Sequence, residues 1–221
     1  MPVQSIQGVT LVGGGDLTRP DLEIALSHAP TLVAADGGAN ILMAWGHMPD
    51  RVIGDIDSLE TAWQSQLGNR IERIAEQDST DFDKCLSRIS APFILALGFD
   101  GARLDHTLAA MSALTRRGSA RIIMKAAADI CFLAPPVLEL DMAQDARVSL
   151  FPMAPVAGRS EGLYWPIDGL QFAPHDVIGT SNRATGGRVR LQFARPGMLV
   201  LLERAYLAPV INAVQSVPDW R

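Results

Sequence analysis

Apolar runs alternate with helical patterns over roughly the first 120 residues of the chain. Strands are predicted over six short segments, most of which end at glycine or aspartate: Val9–Val12, Thr31–Ala35, Arg51–Gly54 and residues 70–75, 93–97 and 121–125. Helices are predicted between them, starting after Thr18 and then over residues 39–45, 59–67, 81–89 and 106–116. Strands separated by helices of about ten residues are typical of βαβ units. The pattern therefore predicts an α/β fold with a mainly parallel sheet and flanking helices.

The pattern changes after about Pro135, where no helical period is visible. Short strands are predicted over residues 147–153, 162–172, 178–184, 188–193 and 198–203. Val189, Leu191 and Phe193 alternate with polar residues, which is the period of a half-buried strand. We therefore predict two domains: an α/β catalytic domain over residues 1–134 and a small all-β sandwich over residues 135–221.

Composition narrows the function classes. Of the 221 residues, 48% are hydrophobic, which suffices for a sizeable core, and the net charge is −5 with no basic run. That balance argues against a nucleic-acid partner and against binding to a membrane surface. The N-terminus lacks a signal-peptide pattern, and Lys125, Asp129 and two prolines interrupt the longest apolar stretch. A cytoplasmic protein is the expectation.

The candidate chemistry lies where the predicted strands end. Asp36, Asp55 and Asp57 follow strands directly, and Asp81 opens a helix after the next strand. Ligands of open α/β sheets bind outside the carboxyl ends of the strands, so these carboxylates are expected at one edge. Carboxylate oxygens suit Mg²⁺, which usually binds one or two of them together with substrate phosphates. A metal-assisted phosphate site is the first hypothesis.

Structural roles compete with that hypothesis for each acid. Asp57 or Ser58 could cap the following helix, and an acid such as Asp81 at a helix N-terminus is ordinarily explained by the helix dipole. Asp81 and Lys84, three residues apart, could form a simple surface pair.

A glycine-containing loop, residues 98–106, supplies groups suited to phosphate. Arg103 offers a planar fork for phosphate oxygens, and glycine permits close backbone approach. His106, at the start of the next helix, is as readily a local hydrogen-bonding residue as a ligand.

Taken in order, five segments resemble thiamine pyrophosphokinases. They are Ala-Asp-Gly-Gly-Ala-Asn (35–40), Gly-Asp-Ile-Asp-Ser (54–58), Gln-Asp-Ser-Thr-Asp-Phe-Asp-Lys (77–84), Gly-Ala-Arg-Leu-Asp-His (101–106) and Thr-Ser-Asn (180–182). The resemblance implies Mg²⁺-dependent transfer of a pyrophosphoryl group from ATP to the hydroxyl of thiamine, giving thiamine diphosphate and AMP. It also implies a homodimer with active sites shared between subunits.

The same resemblance implies roles for individual residues. The metal and catalytic set is Asp55, Asp57 and Asp81, with Arg103 as a further catalytic residue; the ATP-binding set is Asp36, Lys84, Arg103, Asp105 and His106; the thiamine-binding set is Gln77, Trp165, Ser181 and Asn182. Two positions depart from the family pattern, Ala102 in place of a second glycine and Ile56 in place of an aromatic residue. Neither replacement removes a charged group, so they bear on loop geometry and packing.

Two other functions are alternatives to this interpretation. Asp55-Ile56-Asp57-Ser58 also resembles the nucleophile motif of haloacid-dehalogenase phosphatases, but that family places the motif on its first strand and here it follows at least two. A thiamine or nucleotide sensor would keep the pocket without the chemistry. A pure binder has no need of a costly acidic cluster, which argues against this alternative.

Overall fold

The computed structural model of the chain describes residues 2–101, 103–119 and 121–220. The helices are α1 (Arg19–His28), α2 (Gly38–Ala44), α3 (Thr61–Leu67), α4 (Asp81–Arg88), α5 (Leu104–Arg117) and α6 (Leu207–Ser216). The strands are β1 (Val3–Gln4), β2 (Val9–Val12), β3 (Thr31–Ala35), β4 (Arg51–Gly54), β5 (Ile71–Arg73), β6 (Ile89–Ser90), β7 (Ile94–Leu97), β8 (Ile122–Lys125), β9 (Asp129–Leu133), β10 (Val137–Met142), β11 (Arg147–Pro152), β12 (Val156–Glu161), β13 (Gln171–Phe172), β14 (Gly179–Arg183), β15 (Gly187–Phe193) and β16 (Met198–Glu203). Short 3-10 turns follow α3 and β16.

The chain divides into two compact units. The first holds the residues up to Ala113 together with Met124–Ala127, and the second holds Leu114–Ile123 and the residues from Ala128 onward. The predicted division at residue 134 stays a prediction.

Strands of the first unit pair in parallel, as the alternation of strands and helices predicts. The parallel pairs are β1 with β6, β2 with β7, β3 with β4 and β4 with β5. All residues of β2 and β7 are buried, which is expected for strands covered on both faces. Apolar side chains of β3, β4, α1 and α2, among them Ala34, Val52, Leu22 and Leu42, form one core cluster.

The loops that leave the carboxyl ends of β2, β3, β4 and β7 include many of the candidate functional residues predicted from the sequence. Hydrogen bonds hold them at one edge: the Gly13 amide donates to Leu97 O over 2.8 Å and the Asp36 amide to Ile53 O over 3.0 Å. A side chain could not replace Gly38, because its Cβ would lie 2.2 Å from the Val12 carbonyl oxygen. Close backbone packing therefore sets the spacing of these loops.

The second unit contains two groups of antiparallel strands. One has the order β14-β11-β16-β9 and the other the order β10-β15-β12-β13. Buried side chains alternate along β10 and β15, with Leu138, Leu140, Val189 and Leu191 directed into the same interior space as Val200 of β16. Burial of these apolar side chains stabilises the unit.

One detail of the predicted fold is not confirmed, and another is corrected. A mainly parallel sheet is not confirmed, because strand pairing over the described residues is mixed. The second half is also not all-β, since α6 buries Val210, Ile211 and Val214 at its end of the chain. The coarse expectation, an α/β fold with a β domain, is confirmed.

Candidate active site

A cavity of about 690 Å³ opens at the carboxyl edge of the parallel strands in the first unit. Its wall combines glycine loops, acids and cations: Gly13, Gly14, Gly15, Asp16, Ala35, Asp36, Gly37, Asn40, Asp55, Ser58, Gln77, Ser79, Thr80, Asp81, Phe82, Lys84, Gly98, Phe99, Asp100, Gly101, Arg103, His106, Ala109 and Ala110. Concave sites with a few convergent polar groups are the usual place for a substrate. Of the residues predicted for metal and ATP, only Asp57 and Asp105 are absent from the wall.

Three carboxylates form the acidic cluster, Asp36, Asp55 and Asp57. One oxygen from each lies within 4.8 Å of the others. The acidic cluster requires an unusual backbone conformation at two residues. Asp36 and Ile56 have positive φ angles of 40° and 68°. Non-glycine residues adopt this region at a cost, and such strain is common at functional sites. Ile56 also packs against the core cluster of the first unit, which fixes the turn between the paired acids.

Asp36 is the buried member of the cluster, with 4% of its surface exposed. Its Oδ2 accepts a hydrogen bond from the Ser58 amide over 3.2 Å, while Oδ1 is buried without a partner. Burial raises the pKa of Asp36, and the hydrogen bonds from Ser58 oppose that rise. An unpaired buried oxygen is costly and suits a cation or donor that arrives with a ligand.

Asp55 lies in the opposite electrostatic setting. Gln77 Nε2 donates to its Oδ2 over 3.0 Å, and the Asp57 amide donates to its Oδ1 over 3.3 Å. The hydrogen bond from Gln77 is the main reason that the pKa of Asp55 is lowered, and the charge of Lys84 contributes. Asp55 is therefore held as an anion.

Lys84 is a buried cation between two of the predicted metal-binding acids. Only 3% of it is exposed, and its Nζ lies 3.1 Å from Asp81 Oδ1 and 3.6 Å from Asp55 Oδ2. Burial alone would lower the pKa of Lys84, but the hydrogen bond and charge of Asp81 raise it above its usual value. The pair is thus part of the cavity wall rather than a solvated surface pair.

The N-terminus of α4 has its own cap, which separates structural from functional acids. Thr80 Oγ1 accepts from the Asp83 amide over 3.2 Å and donates to Asp83 Oδ2 over 2.9 Å. Asp83 therefore serves the capping box, whereas Asp81 is turned to Lys84.

Glycines bring the loops after β2 and β7 into direct contact. The Gly15 amide donates to Gly98 O over 2.8 Å, and a Cβ on Gly15 would lie 2.2 Å from Asp100 O. Gly98 has a φ of 70°, and Gly14 has no neighbour closer than 3.8 Å to its Cβ position. The two loops form a smooth backbone surface that a phosphate chain can approach closely.

Arg103, Asp105 and His106 lie at the exposed start of α5. Arg103 forms a two-pronged pair with Asp105, with distances of 2.6 Å (Nη2 to Oδ2) and 3.2 Å (Nε to Oδ1). Hydrogen bonding to Arg103 lowers the pKa of Asp105. Arg103 and His106 line the cavity, so Asp105 orients the guanidinium from outside it. Ala102, one of the two departures, lies outside the described residues.

The predicted thiamine-binding residues lie in different units. Gln77 belongs to the first, where it contacts Asp55, and Trp165, Ser181 and Asn182 belong to the second. Asn182 is 6% exposed, and both its amide oxygen and its amide nitrogen form hydrogen bonds within the chain. Its Oδ1 accepts from the amides of Trp165 and Arg183, and its Nδ2 donates to Trp165 O over 2.7 Å. Asn182 therefore fixes the backbone of Trp165.

Trp165 and Ser181 are the exposed predicted thiamine-binding residues of the second unit. Trp165 is 54% exposed and meets Tyr164 edge-on at 4.7 Å, and the Arg183 guanidinium lies 4.0 Å from the Tyr164 ring centre. Ser181 has a φ of 62°, and its amide donates to Ser149 Oγ. Their side chains present an aromatic and a hydroxyl surface.

Sequence reasoning did not single out three residues that shape the site. Asn40 donates to Ser58 O and accepts from the Glu60 amide, which ties α2 to the acidic loop. The rings of Phe82 and Phe99 pack 4.3 Å apart and join α4 to the glycine loop. The available signal was their position: Asn40 and Phe82 lie within two of the recognised motifs, and Phe99 lies in the glycine-containing loop.

The chain is similar to several known proteins. A family model described as thiamin pyrophosphokinase, catalytic domain, matches residues 22–124. A curated relative, thiamine pyrophosphokinase 1 of Oryza sativa subsp. japonica, is 29% identical in an alignment of length 194 that covers 72% of this chain and 74% of the relative. Thiamine pyrophosphokinase 2 of Arabidopsis thaliana is 26% identical over 70% of this chain and 71% of its own length.

Solved structures share the fold. Thiamin pyrophosphokinase from Candida albicans superposes with a TM-score of 0.75 at 18% identity, covering 89% of each chain. The enzyme from Geobacillus thermodenitrificans gives a TM-score of 0.73 at 22% identity over 89% of this chain and 96% of its own. At these identities the likeness establishes the architecture.

Proposed function

We infer that the chain belongs to the thiamine pyrophosphokinase family, and we propose that it transfers a pyrophosphoryl group from ATP to the hydroxyl of thiamine. The products are thiamine diphosphate and AMP. In this reaction the thiamine hydroxyl oxygen bonds to the β-phosphorus of ATP. The bond from that phosphorus to the oxygen bridging it to the α-phosphate breaks, and AMP leaves.

One observation carries the proposal: a single cavity joins an acidic cluster, a buried lysine and a pair of glycine loops. Phosphoryl transfer depends almost entirely on positioning and on neutralising phosphate charge. Lys84 and Arg103 supply positive charge at the wall, and the glycine loops accept the phosphate chain closely. The arrangement meets both needs.

The acidic cluster fits Mg²⁺. Three carboxylates with oxygens within 4.8 Å of one another, including the unpaired Oδ1 of Asp36, are the hard oxygen donors that this ion prefers. We propose Asp36, Asp55 and Asp57 as its ligands, while Asp81, which pairs with Lys84, remains predicted as a further one. The ion would neutralise polyphosphate charge.

We also propose which residues bind thiamine and that the chain forms a homodimer. Trp165 offers an exposed ring for a heterocycle, Ser181 offers a hydroxyl, and Asn182 holds Trp165 in place. We propose a homodimer in which each site takes its phosphate-binding residues from one subunit and its thiamine-binding residues from the other.

None of the helices in the described part of the chain is long and apolar enough to span a membrane. A cytoplasmic location stays an expectation.

One assay tests the reaction. The purified chain is incubated with ATP, thiamine and Mg²⁺, and AMP, thiamine diphosphate and inorganic phosphate are measured together. AMP and thiamine diphosphate in equal amounts support the proposal. Inorganic phosphate released in a parallel incubation with a phosphomonoester would instead support a phosphatase, and ligand binding without any product would support a sensor.

A further inference from the structure

Ser58 contacts two of the three carboxylates in the acidic cluster. Its amide donates to Asp36 Oδ2 over 3.2 Å, and its hydroxyl donates to Asp57 Oδ1 over 2.9 Å. One oxygen from each of these acids and one from Asp55 lie within 4.8 Å of one another. The position of Ser58 therefore affects how far apart the oxygens of Asp36 and Asp57 lie.

Asn40, on α2, holds the main chain of Ser58. Its Nδ2 donates to Ser58 O over 2.8 Å, and its Oδ1 accepts from the Glu60 amide over 3.0 Å. The two ends of one side-chain amide thus bind the backbone at residues 58 and 60. Leu59, between them, is 4% exposed and belongs to the core cluster of the first unit. The core and Asn40 together fix this short segment.

Gly37 allows the start of α2 to approach Ser58 closely. A Cβ on Gly37 would lie 3.1 Å from Ser58 Cβ, which is a tight contact. The segment 36–40 therefore meets Ser58 at both of its ends, since the Asp36 carboxylate accepts from the Ser58 amide and the Asn40 side chain donates to the Ser58 carbonyl.

Asp36 is held through one oxygen only. Its Oδ2 accepts from Ser58, whereas Oδ1 is buried and has no hydrogen-bond partner among the described residues. Asp36 is 4% exposed, so that oxygen is available to a ligand of the cavity rather than to bulk water. Hydrogen bonds to a ligating carboxylate fix its orientation, and loss of such an outer partner lowers metal affinity by about 10–100-fold.

We propose that Asn40 is a positioning residue for the metal site: through Ser58 it sets the separation of the Asp36 and Asp57 carboxylates that hold Mg²⁺. The inference rests on the proposed function, since it takes these acids as ligands of the ion. Asn40 acts through the backbone and the hydroxyl of Ser58 and does not itself bind the ion.

Metal affinity without nucleotide is the direct measurement. Asn40→Ala removes both hydrogen bonds of the side chain. Gln64→Ala is the matched control, because Gln64 Nε2 likewise donates to a backbone oxygen, that of Leu59 over 3.2 Å, but Gln64 does not line the cavity. Mn²⁺ is titrated into each protein, free Mn²⁺ is measured by electron paramagnetic resonance, and Mg²⁺ is added as a competitor. Melting temperatures are measured without metal.

Asn40→Ala is expected to weaken Mn²⁺ binding about tenfold or more, the scale of losing an outer partner of a ligating carboxylate. Gln64→Ala should bind Mn²⁺ within about threefold of the parent, even if its melting temperature falls as far as that of Asn40→Ala. Parental affinity in Asn40→Ala, or an equal loss of affinity in both variants, would overturn the proposal.

A double-mutant cycle tests whether Asn40 acts through Ser58. Ser58→Ala keeps the amide donor to Asp36 and removes the hydroxyl donor to Asp57. Asn40→Ala should therefore cost less Mn²⁺ affinity in the Ser58→Ala background than in the parent, because one of the two contacts that it disturbs is already absent. An equal or larger cost in that background would refute the route through Ser58.

The unaltered protein gives a further test that does not depend on the folding of a variant. The side-chain amide signal of Asn40 in nitrogen–proton correlation spectra should shift as Mg²⁺ is added, with the same midpoint as the competition against Mn²⁺. A signal that does not respond at saturating Mg²⁺ would contradict the role of Asn40.

Mn²⁺ binding does not depend on turnover, so the failure of this inference and that of the proposed reaction are distinguishable. A parent protein that binds Mn²⁺, loses affinity through Asn40→Ala as described and yet makes no thiamine diphosphate would refute the reaction and leave the role of Asn40 standing. Turnover by the parent together with parental Mn²⁺ affinity in Asn40→Ala would refute this inference alone. Absence of Mn²⁺ binding by the parent would refute both the metal ligands and the role of Asn40.

Discussion

Asp36 and Asp55 are carboxylates of one cluster whose pKa values move in opposite directions. Burial dominates at Asp36 and raises its pKa, whereas the hydrogen bond from Gln77 dominates at Asp55 and lowers it. Neighbouring acids with different environments are usual where a site divides tasks between them. The fold favours the anionic form of Asp55 and resists the ionisation of Asp36.

The raised pKa of Asp36 predicts how stability depends on pH without metal. A carboxyl with a raised folded pKa favours the native state below its unfolded value of 3.8 and loses that contribution as pH rises through the folded pKa. Asp36→Asn should therefore increase the free energy of unfolding at neutral pH, while abolishing most activity. Urea unfolding at pH 7 and at acid pH, in chelator, measures the difference. An equal increase in the free energy of unfolding at neutral and at acid pH would contradict the prediction.

Asp57 is exposed, so its substitution tests chemistry with little effect on the fold. Asp57→Asn should lower kcat by about 100-fold or more, the scale of losing one well-placed electrostatic group, with an unchanged melting temperature. Asp78→Asn serves as the control, because Asp78 is an exposed acid of the next loop that does not line the cavity. Near-parental turnover of Asp57→Asn at saturating Mg²⁺ would remove Asp57 from the metal site.

Asn182 should influence thiamine through Trp165. Asn182→Ala leaves the amide and carbonyl of Trp165 without their side-chain partner, which should cost about 1–3 kcal/mol of stability. KM for thiamine should rise while KM for ATP changes little, and tryptophan fluorescence should shift. Asn212→Ala, an exposed change on α6, is the control. An altered KM for ATP alone would place the vitamin elsewhere.

At the scale of elements, the backbone at the end of β4 allows Asp36 and Asp81 to lie close together. A Cβ on Gly54 would lie 2.8 Å from Asp36 Cβ and 3.2 Å from Asp81 Oδ1. Gly54→Ala should therefore push these carboxylates apart, with a loss of Mg²⁺ affinity of at least about tenfold that exceeds any loss of stability. Titration with Mn²⁺ as a substitute ion measures the affinity. Parental affinity in a folded Gly54→Ala protein would refute this account.

Elements with strong local patterns could be predicted from sequence. β2, β3, β4 and β16 begin and end at their predicted residues, and α1 begins after Thr18, which caps it as expected. These segments combine buried apolar runs with turn or capping residues, so local and tertiary preferences agree.

Elements whose local sequence pattern conflicts with their packing could not be predicted from sequence. α6 contains Val210, Ile211 and Val214, which favour strands, and Pro209, which a helix tolerates only in its first turn. The predicted strand over residues 162–172 is mostly irregular, because Gly162 and Gly169 adopt φ angles of 79° and 82°. β12 was missed because Gly158 and polar residues weaken its pattern.

The site was predictable as a set of residue types at one sheet edge, but its internal pairing was not. Spacing placed Asp36, Asp55 and Asp81 together, yet the burial of Lys84 and the unpaired oxygen of Asp36 depend on how α4 packs against β4. Likewise, Asn182 reads as a free amide in the sequence, and only the fold reveals that Trp165 uses it.

At the scale of the whole molecule, the proposed dimer can be tested by complementation. Chains with Asp57→Asn and chains with Asn182→Ala are dissociated, mixed and reassembled, and heterodimers are verified by native mass spectrometry. Shared sites would give each heterodimer one intact site, so activity at a thiamine concentration far below the KM of Asn182→Ala should rise well above that of either parent. Verified heterodimers no more active than their parents would mean that each chain builds its own site.

The buried lysine has a practical consequence for handling the protein. Lys84 neutralises part of the charge of Asp55 and Asp81 from within the chain, so the acids do not need an external ion to coexist. Exhaustive chelation should accordingly abolish turnover yet leave the melting temperature within a few degrees, and re-adding Mg²⁺ should restore activity without a refolding step. The chain is thus expected to tolerate purification and storage in the metal-free form.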